Sequence, residues 1–384
     1  MTSSRNEGAR FVTVARASAG LGVALIAGAV VAGALGQRGF FRGYLLALVF
    51  WTQVAVGSLG VLMLQYLTGG AWGRAVRRLL EAATRTLPLL ALLFVPIALG
   101  LGDLYEWAHP DLQDPLLARK AGFLNVPFFL ARAAGYWLVW LGAAALLNRW
   151  SEGRSRPRGE GEAQAGGRLK ALSSVGLVAW TLTVTFSSID WVMSLEPHWA
   201  STMFPLLFIA GEVLTAFAFA IALAALLGVA PGTQGGRAYH DLGKLLLAFV
   251  MLWAYVAFSQ YLIVWSGNLP EEIPWYLRRL AAGWRGVGVA IVVAHFALPF
   301  ALLLPRAANR DRRLLGATAL LLLVMRFVET LWTIVPASGS PGAASLHWMD
   351  LGLPVGVGGL WIALFLRELG RGRGGLDLDA SSQP

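Results

Sequence analysis

Residues 201–227 read STMFPLLFIAGEVLTAFAFAIALAALL, a nearly unbroken apolar run with one charged side chain, Glu212. A helix of about 20 apolar residues is long enough to cross the hydrocarbon core of a bilayer. Because the bilayer core offers no water to exposed backbone groups, a segment this apolar must be helical. The stretch therefore predicts a membrane-spanning helix with a charged group near its middle.

Other segments of similar length and composition bring the predicted total to ten membrane-spanning helices. We expect an all-α polytopic membrane protein in which residues 1–384 form a single integral membrane domain. The predicted spans are 12–35, 42–66, 87–108, 123–147, 170–195, 201–227, 242–266, 283–304, 314–336 and 350–368.

The composition agrees with this class of protein. Hydrophobic residues make up 57% of the chain and charged residues 14%, against about 25% charged in soluble proteins. The 45 Gly and 16 Trp residues fit helices that pack closely in lipid and carry Trp at the membrane interface. A soluble enzyme, a nucleic-acid-binding protein and a disordered chain are excluded, and membrane lipid is an expected partner.

The net charge of +10 reflects topology. Most of the 31 Lys and Arg residues fall in the tails and in the loops on the same side as the tails. Since cytoplasmic loops carry the excess of Lys and Arg, both termini are predicted to be cytoplasmic. The loops on the other side hold only Arg38, Arg42, Arg119, Lys120, Arg278 and Arg279.

Two segments have the composition of disordered chain. Residues 151–168 mix charges with Gly and contain no apolar anchor, and residues 370–384 are similar. We predict a disordered cytoplasmic loop and a disordered cytoplasmic tail at these positions.

A polar cluster follows the fifth span on the predicted external side. Asp190 ends the span, and Glu196 and His198 lie in the connector LEPHW, which is too short to leave the membrane surface. One interpretation is that these groups simply face water. The other is that they receive protons at the outer end of a path through the protein.

Four ionisable residues lie deeper, in three different spans. Charges at this depth cost about 3 kcal/mol or more each unless they are paired or hydrated. A structural ion pair between Arg326 and Glu329, three residues apart on one helix face, is one explanation. A proton relay is the other. The four residues are Glu212, His295, Arg326 and Glu329.

The residues available for cofactors are few. The chain has no Cys, so a Cys-ligated iron–sulfur cluster and a c-type haem are excluded. Of the 5 His residues only His295 is near the middle of a span, so a haem with two axial His ligands is not expected. No metal site is predicted.

Two stretches carry a family resemblance. Residues 185–212 read TFSSIDWVMSLEPHWASTMFPLLFIAGE and residues 261–279 read YLIVWSGNLPEEIPWYLRR. With the ten spans, they resemble the ActF-type membrane subunit of bacterial alternative complex III, within the wider NrfD/PsrC-like group. The resemblance implies two four-helix bundles with two peripheral helices.

The same resemblance implies a function. It places the chain in the bacterial inner (cytoplasmic) membrane, in a respiratory complex that oxidises quinol and passes electrons to cytochrome c or to an oxidase. The expected partners are an ActC-like membrane subunit, an iron–sulfur subunit and multihaem cytochrome subunits, which carry the redox centres. For the ActF-type chain itself, quinone binding, proton conduction and assembly are all open. The quinone, as substrate, is menaquinone or ubiquinone.

Quinol oxidation needs an apolar slot for the ring and groups that accept two protons. Aromatic residues and polar neighbours at the outer ends of the spans are candidates for such a slot, although Trp and Tyr at this depth also form ordinary interfacial belts. The candidates are Trp191, Trp199, Trp265, Asn268, Glu272, Trp275 and Tyr276.

Other functions also fit ten spans with buried charges. A secondary transporter or an ion-conducting protein is one alternative. An assembly anchor without chemistry of its own is another.

Overall fold

The computed structural model describes residues 2–37, 39–109, 114–154, 160–228, 235–281, 283–305, 311–337 and 345–371. In these ranges, ten helices are long and apolar enough to cross a membrane. The predicted all-α polytopic membrane fold is confirmed. The helices are α1 (Thr2–Ala34), α2 (Phe40–Thr68), α3 (Ala71–Leu99), α4 (Val126–Arg154), α5 (Glu160–Trp191), α6 (Met203–Leu227), α7 (Gly235–Gly267), α8 (Trp284–Leu303), α9 (Arg312–Ile334) and α10 (Met349–Arg371).

The third span differs most from its prediction. It runs over Ala71–Leu99 rather than 87–108, because the helix already begins directly after a turn at Gly69 and Gly70. Its first part is amphipathic, with Arg74 exposed on one face. The arginines on the exposed side lower the local hydropathy. The first part of the span was therefore not predicted, although its other side is buried. Short helices at Leu101–Leu104 and Glu106–Ala108 follow the span.

Helix extends into both sides of the predicted loop 151–168. Helix α4 continues to Arg154 and α5 begins at Glu160. Residues 155–159 lie outside the described residues, as does the tail beyond Arg371. The predicted disorder of these residues stays a prediction.

The helices pack as two groups of four with two helices at the side. Helices α2 to α5 contact one another in one bundle, and α6 to α9 form the second bundle. Helices α2 and α6 join the two bundles. Helix α1 packs mainly on α10, and α10 packs on α2. This arrangement agrees with two four-helix bundles and two peripheral helices.

Helix α2 lies at the centre of the molecule and is almost wholly buried. At Gly57 the backbone of α2 meets the backbone carbonyl of Glu212 in α6, with no room for a Cβ atom between them. The absence of a side chain at Gly57 therefore allows the two bundles to approach closely at this point.

Small residues also join the peripheral helices. Gly22 of α1 lies against Gly359 of α10, where a Cβ on Gly359 would come 3.0 Å from the Cα of Gly22. Close backbone contact of this kind is the usual way in which helices associate in lipid.

Five connections meet at the end of the molecule opposite the chain termini, which we call the distal end. These are the connections after α1, α3, α5, α7 and α9. They line a groove of about 1210 Å³ that includes Gln37, Glu106, Glu196, Glu271 and Ala337. The end that carries the termini is called the terminal end. That the distal end is external and the terminal end cytoplasmic stays a prediction.

Candidate functional site

A buried polar network occupies the distal half of the second bundle. Its centre is Arg326 of α9, whose guanidinium forms an ion pair with Glu329 one turn later. Arg326 also donates to Oγ1 of Thr215 at 3.1 Å and to Oε1 of Gln53 at 3.0 Å. Each of these four side chains is buried. Three hydrogen-bonding partners compensate the cost of removing the arginine from water.

Glu329 connects this arginine to α7 and α8. Its Oε1 accepts a hydrogen bond from Nε1 of Trp253 at 3.0 Å. Its Oε2 lies 3.3 Å from Nδ1 of His295, within ion-pairing distance. The His295 ring is fully buried and packs on the Trp253 ring with 4.0 Å between centroids. Arg326 and His295 therefore converge on one carboxylate.

A local distortion of α8 accompanies the position of His295. Residues Ile291–Ala297 form a π-helical turn. Pro299 lies four residues after His295, and a proline ring clashes with the carbonyl four residues before it. A wider turn relieves this clash, and π turns inside helices are frequent at functional sites. Hydropathy alone gave no sign of the π turn.

Glu212 lies beside the network and has no ion-pairing partner in the part of the chain that the structure describes. It is fully buried, about 14 Å from the start of α6 at roughly 1.5 Å per residue, and its Oε2 has no hydrogen-bonding partner among the described residues. Its neighbour Gly211 faces the guanidinium of Arg326 so closely that a Cβ atom would overlap it. Arg326 thus passes next to Glu212 while it pairs with Glu329.

Between this network and the distal end lies a small cavity of about 30 Å³. Gln53, Arg326, Glu329, Thr330 and Thr333 give it a polar wall, and residues such as Val192 and Phe204 give it an apolar one. A polar cavity of this size holds about one water molecule.

The predicted distal residues do not form one cluster. The hairpin between α5 and α6 is short and buried, as expected, but Asp190 points back into the first bundle. Its carboxylate accepts hydrogen bonds from Nε and Nη2 of Arg132, at 2.8 and 2.7 Å. It accepts a third from the hydroxyl of Tyr136, at 2.7 Å. Asp190 is fully buried. This bidentate arrangement is the strong form of an ion pair.

Glu196 pairs with the second bundle instead. Its Oε1 lies 2.8 Å from Nη2 of Arg279, and Arg279 also donates to the carbonyl of Thr333 at 2.6 Å. The Arg279 guanidinium stacks on the Trp275 ring at 3.7 Å. Burial lowers the pKa of Arg279 to about 10, and Glu196 opposes that change. A cation at this place also suits the carboxyl end of α9.

His198 has a third partner. Its Nε2 lies 2.5 Å from Oδ2 of Asp114, and both side chains are accessible to solvent. The hydrogen bond from His198, followed by the backbone N–H of Leu116, lowers the pKa of Asp114. Asp190, Glu196 and His198 thus each bind a different element, which sequence spacing could not show.

Three of the aromatic residues predicted to form a quinone slot contact one another, and the other two lie elsewhere. Trp199 and Trp275 stack directly on each other, with 5.0 Å between ring centroids and 19° between planes, so no third ring fits between them. Tyr276 packs edge-on against Trp275. Trp191 lies in a separate aromatic cluster of the first bundle, and Trp265 is 67% exposed.

The two polar members of the predicted slot also lie at the periphery. Asn268 is exposed in the connection after α7, at a positive φ of 48°, and Glu272 is half-buried at the start of the helix Ile273–Leu280. Trp199 and Trp275 also line the distal groove of about 1210 Å³.

A second polar cluster, at the terminal end, was not predicted. Glu81 of α3 accepts hydrogen bonds from the Tyr66 hydroxyl at 3.0 Å and the Ser151 hydroxyl at 2.5 Å. Arg77 lies 3.6 Å from the same carboxylate. Glu81 lies before the predicted third span, 87–108, in a part of α3 that was expected to be a loop.

No group of three His, Cys, Asp or Glu side chains in the described ranges is arranged to hold a metal ion. No protein-family model matches the sequence, and no curated protein matches it.

Proposed function

We propose that this chain is a membrane subunit of a bacterial respiratory complex that oxidises quinol, and that its part in that complex is to carry protons. The observation that carries this proposal is the buried network of His295, Arg326 and Glu329, together with the buried Glu212 beside it. Together these residues contain two carboxylates and an imidazole, which exchange protons, around an arginine that stays charged.

The arrangement favours proton transfer over quinone binding by this chain. Quinol oxidation releases two protons with two electrons, and the chain has no Cys with which to hold an iron–sulfur cluster. The electrons therefore travel on partner subunits, which we expect to be an ActC-like membrane subunit, an iron–sulfur subunit and multihaem cytochromes. Trp199 stacks directly on Trp275, so a quinone ring has no space between these two indoles and would have to lie beside them in the distal groove.

Purification from the native membrane tests the proposed complex. A tagged full-length chain, extracted in a mild detergent, should bring down subunits with c-type haem absorption and iron–sulfur signals in electron paramagnetic resonance. The preparation should reduce cytochrome c with quinol. A stable single chain that purifies without haem or iron–sulfur subunits and moves a solute across the membrane of proteoliposomes would support a secondary transporter instead.

A further inference from the structure

We infer that the buried network exchanges protons with the distal end only, through a half-channel that ends at Glu212 against an apolar layer. The functional meaning of this half-channel rests on the proton-carrying role proposed above. Its geometry can be tested without that role.

The distal part of the half-channel is polar. The cavity of about 30 Å³ beside Arg326 and Glu329 has Thr330 and Thr333 in its wall. The Thr333 hydroxyl donates to the backbone carbonyl of Glu329 at 2.8 Å. A water molecule in this cavity would have the partners it needs and would extend the network by one step toward the distal end.

The mouth of the half-channel is the ion pair of Glu196 and Arg279. Arg279 binds the carbonyl of Thr333, so it lies over the residue that lines the cavity. Glu196 lines the large distal groove and is also 3.7 Å from Arg278. The Glu196 carboxylate thus lines the groove and also pairs with Arg279 above the cavity.

The terminal side of the network is filled by apolar side chains. Phe217 lies five residues beyond Glu212 in α6, about 7 Å along the axis at roughly 1.5 Å per residue. It is fully buried and stacks on Phe249 with 5.2 Å between centroids. Leu246, Val250 and Leu322, from α7 and α9, are also fully buried. An apolar interior of this kind stays dry, so it does not supply the water that a proton needs.

The first bundle is also tightly filled next to α2 at this level. Trp180 of α5 donates its Nε1–H to the carbonyl of Val56 at 2.9 Å. Its ring covers Gly60, where a Cβ atom would come within 2.8 Å of it. The indole therefore fills the space next to α2, one turn beyond Gly57.

The chain suits a test by thiol accessibility because it contains no Cys. Single substitutions Thr333→Cys and Thr330→Cys place a thiol in the cavity, and Val250→Cys and Leu322→Cys place one in the apolar layer. The probe is the silver ion, which replaces the thiol proton to give a silver thiolate and one released proton. Silver is applied to full-length protein in vesicles of either orientation, and unreacted thiols are then counted with a maleimide after denaturation.

Two exposed positions calibrate the sidedness. Ser345→Cys marks the distal face and Glu152→Cys marks the terminal face, and each should react from its own side only. When silver is added to the distal face, the cavity variants should lose maleimide labelling. When silver is added to the terminal face, they should keep it. The layer variants should keep their labelling in both orientations. Unchanged gel-filtration profiles show that a variant is folded.

Two outcomes would overturn the inference. Reaction of a folded layer variant from the terminal face would reveal a path through the whole membrane. Protection of both cavity variants from both faces would show that no mouth exists beside Arg279. If the thiols react with silver as expected but no partner subunits co-purify, the half-channel is supported and the respiratory role is contradicted.

Discussion

Arg326 of α9 donates a hydrogen bond to Oε1 of Gln53 in α2 at 3.0 Å, between residues 273 positions apart in the chain. This bond joins the two bundles at the level of the buried carboxylates. Gln53 has an ordinary polar side chain in an apolar span, and nothing in its sequence position indicates this partner. Arg326 therefore has two roles, since it holds the bundles in register and fixes the charge around which Glu329 and His295 are arranged.

Removal of Arg326 alone should destabilise the protein strongly. Arg326→Met leaves Glu329 without its cation, and breaking a buried pair in this way costs about 3–5 kcal/mol. Addition of Glu329→Gln should recover part of that loss, because the uncompensated carboxylate is then gone. Unfolding of detergent-solubilised single and double variants measures the coupling, and strictly additive effects would show that the two residues do not interact.

Gly57→Ala should separate the bundles. Its Cβ has no space between α2 and the backbone of Glu212, and overpacking of this kind costs about 1–3 kcal/mol. Gly142→Ala is the matched control, because a Cβ there meets nothing within 4 Å. The control should be neutral or slightly stabilising, since Ala has the higher helix propensity. Equal thermal stability of the two variants would argue against close contact at Gly57.

Asp190→Asn should weaken the first bundle. Arg132 would lose its bidentate carboxylate in a buried site, with an expected cost of about 3–5 kcal/mol. Arg371→Gln removes a pair with Glu368 in which the arginine is 57% exposed, and pairs near the surface contribute about 0–1 kcal/mol. Unfolding midpoints compare the two variants. A similar small effect of both would mean that Asp190 is not held as described.

The contact between His198 and Asp114 should depend on pH. Because the pKa of Asp114 is lowered in the folded protein, an unfolded chain takes up a proton at Asp114 before the folded one does. The contact therefore stabilises the fold above pH 3.8, the ordinary value for the group, and this contribution is lost as the pH falls further. The stability difference between the wild-type protein and Asp114→Asn should shrink in that range, and a constant difference would exclude the linkage.

The sequence predicted the architecture well because membrane spans follow from local composition. Residues 201–227 needed no tertiary information to be recognised as a helix. The error in the third span came from Arg74 and its neighbours, which lower the hydropathy of a helix buried on its other face. The fold class thus follows from the mean hydropathy of segments of about 20 residues. A single residue seldom changes that mean.

The site was less predictable because it depends on pairs between distant helices. The cost of burying charge pointed to Glu212, His295, Arg326 and Glu329, and the structure places all four in the interior of the second bundle. No local pattern indicated that Asp190 pairs with Arg132. The neighbours of the predicted aromatic residues could not be predicted for the same reason, since the interfacial position of a ring does not reveal which side chains it contacts.

The substitution Glu212→Gln in the intact complex tests the central claim most directly, because glutamine has nearly the same shape and cannot carry a proton. Glu368→Gln, outside the network, is the matched control. We predict that the Glu212 variant assembles in normal amount, oxidises quinol more slowly and translocates fewer protons per electron in proteoliposomes, while the control matches the wild type. Normal assembly with unchanged quinol oxidation and proton translocation would contradict a carrier role for Glu212, and loss of assembly would show that it acts as structural packing between the helices.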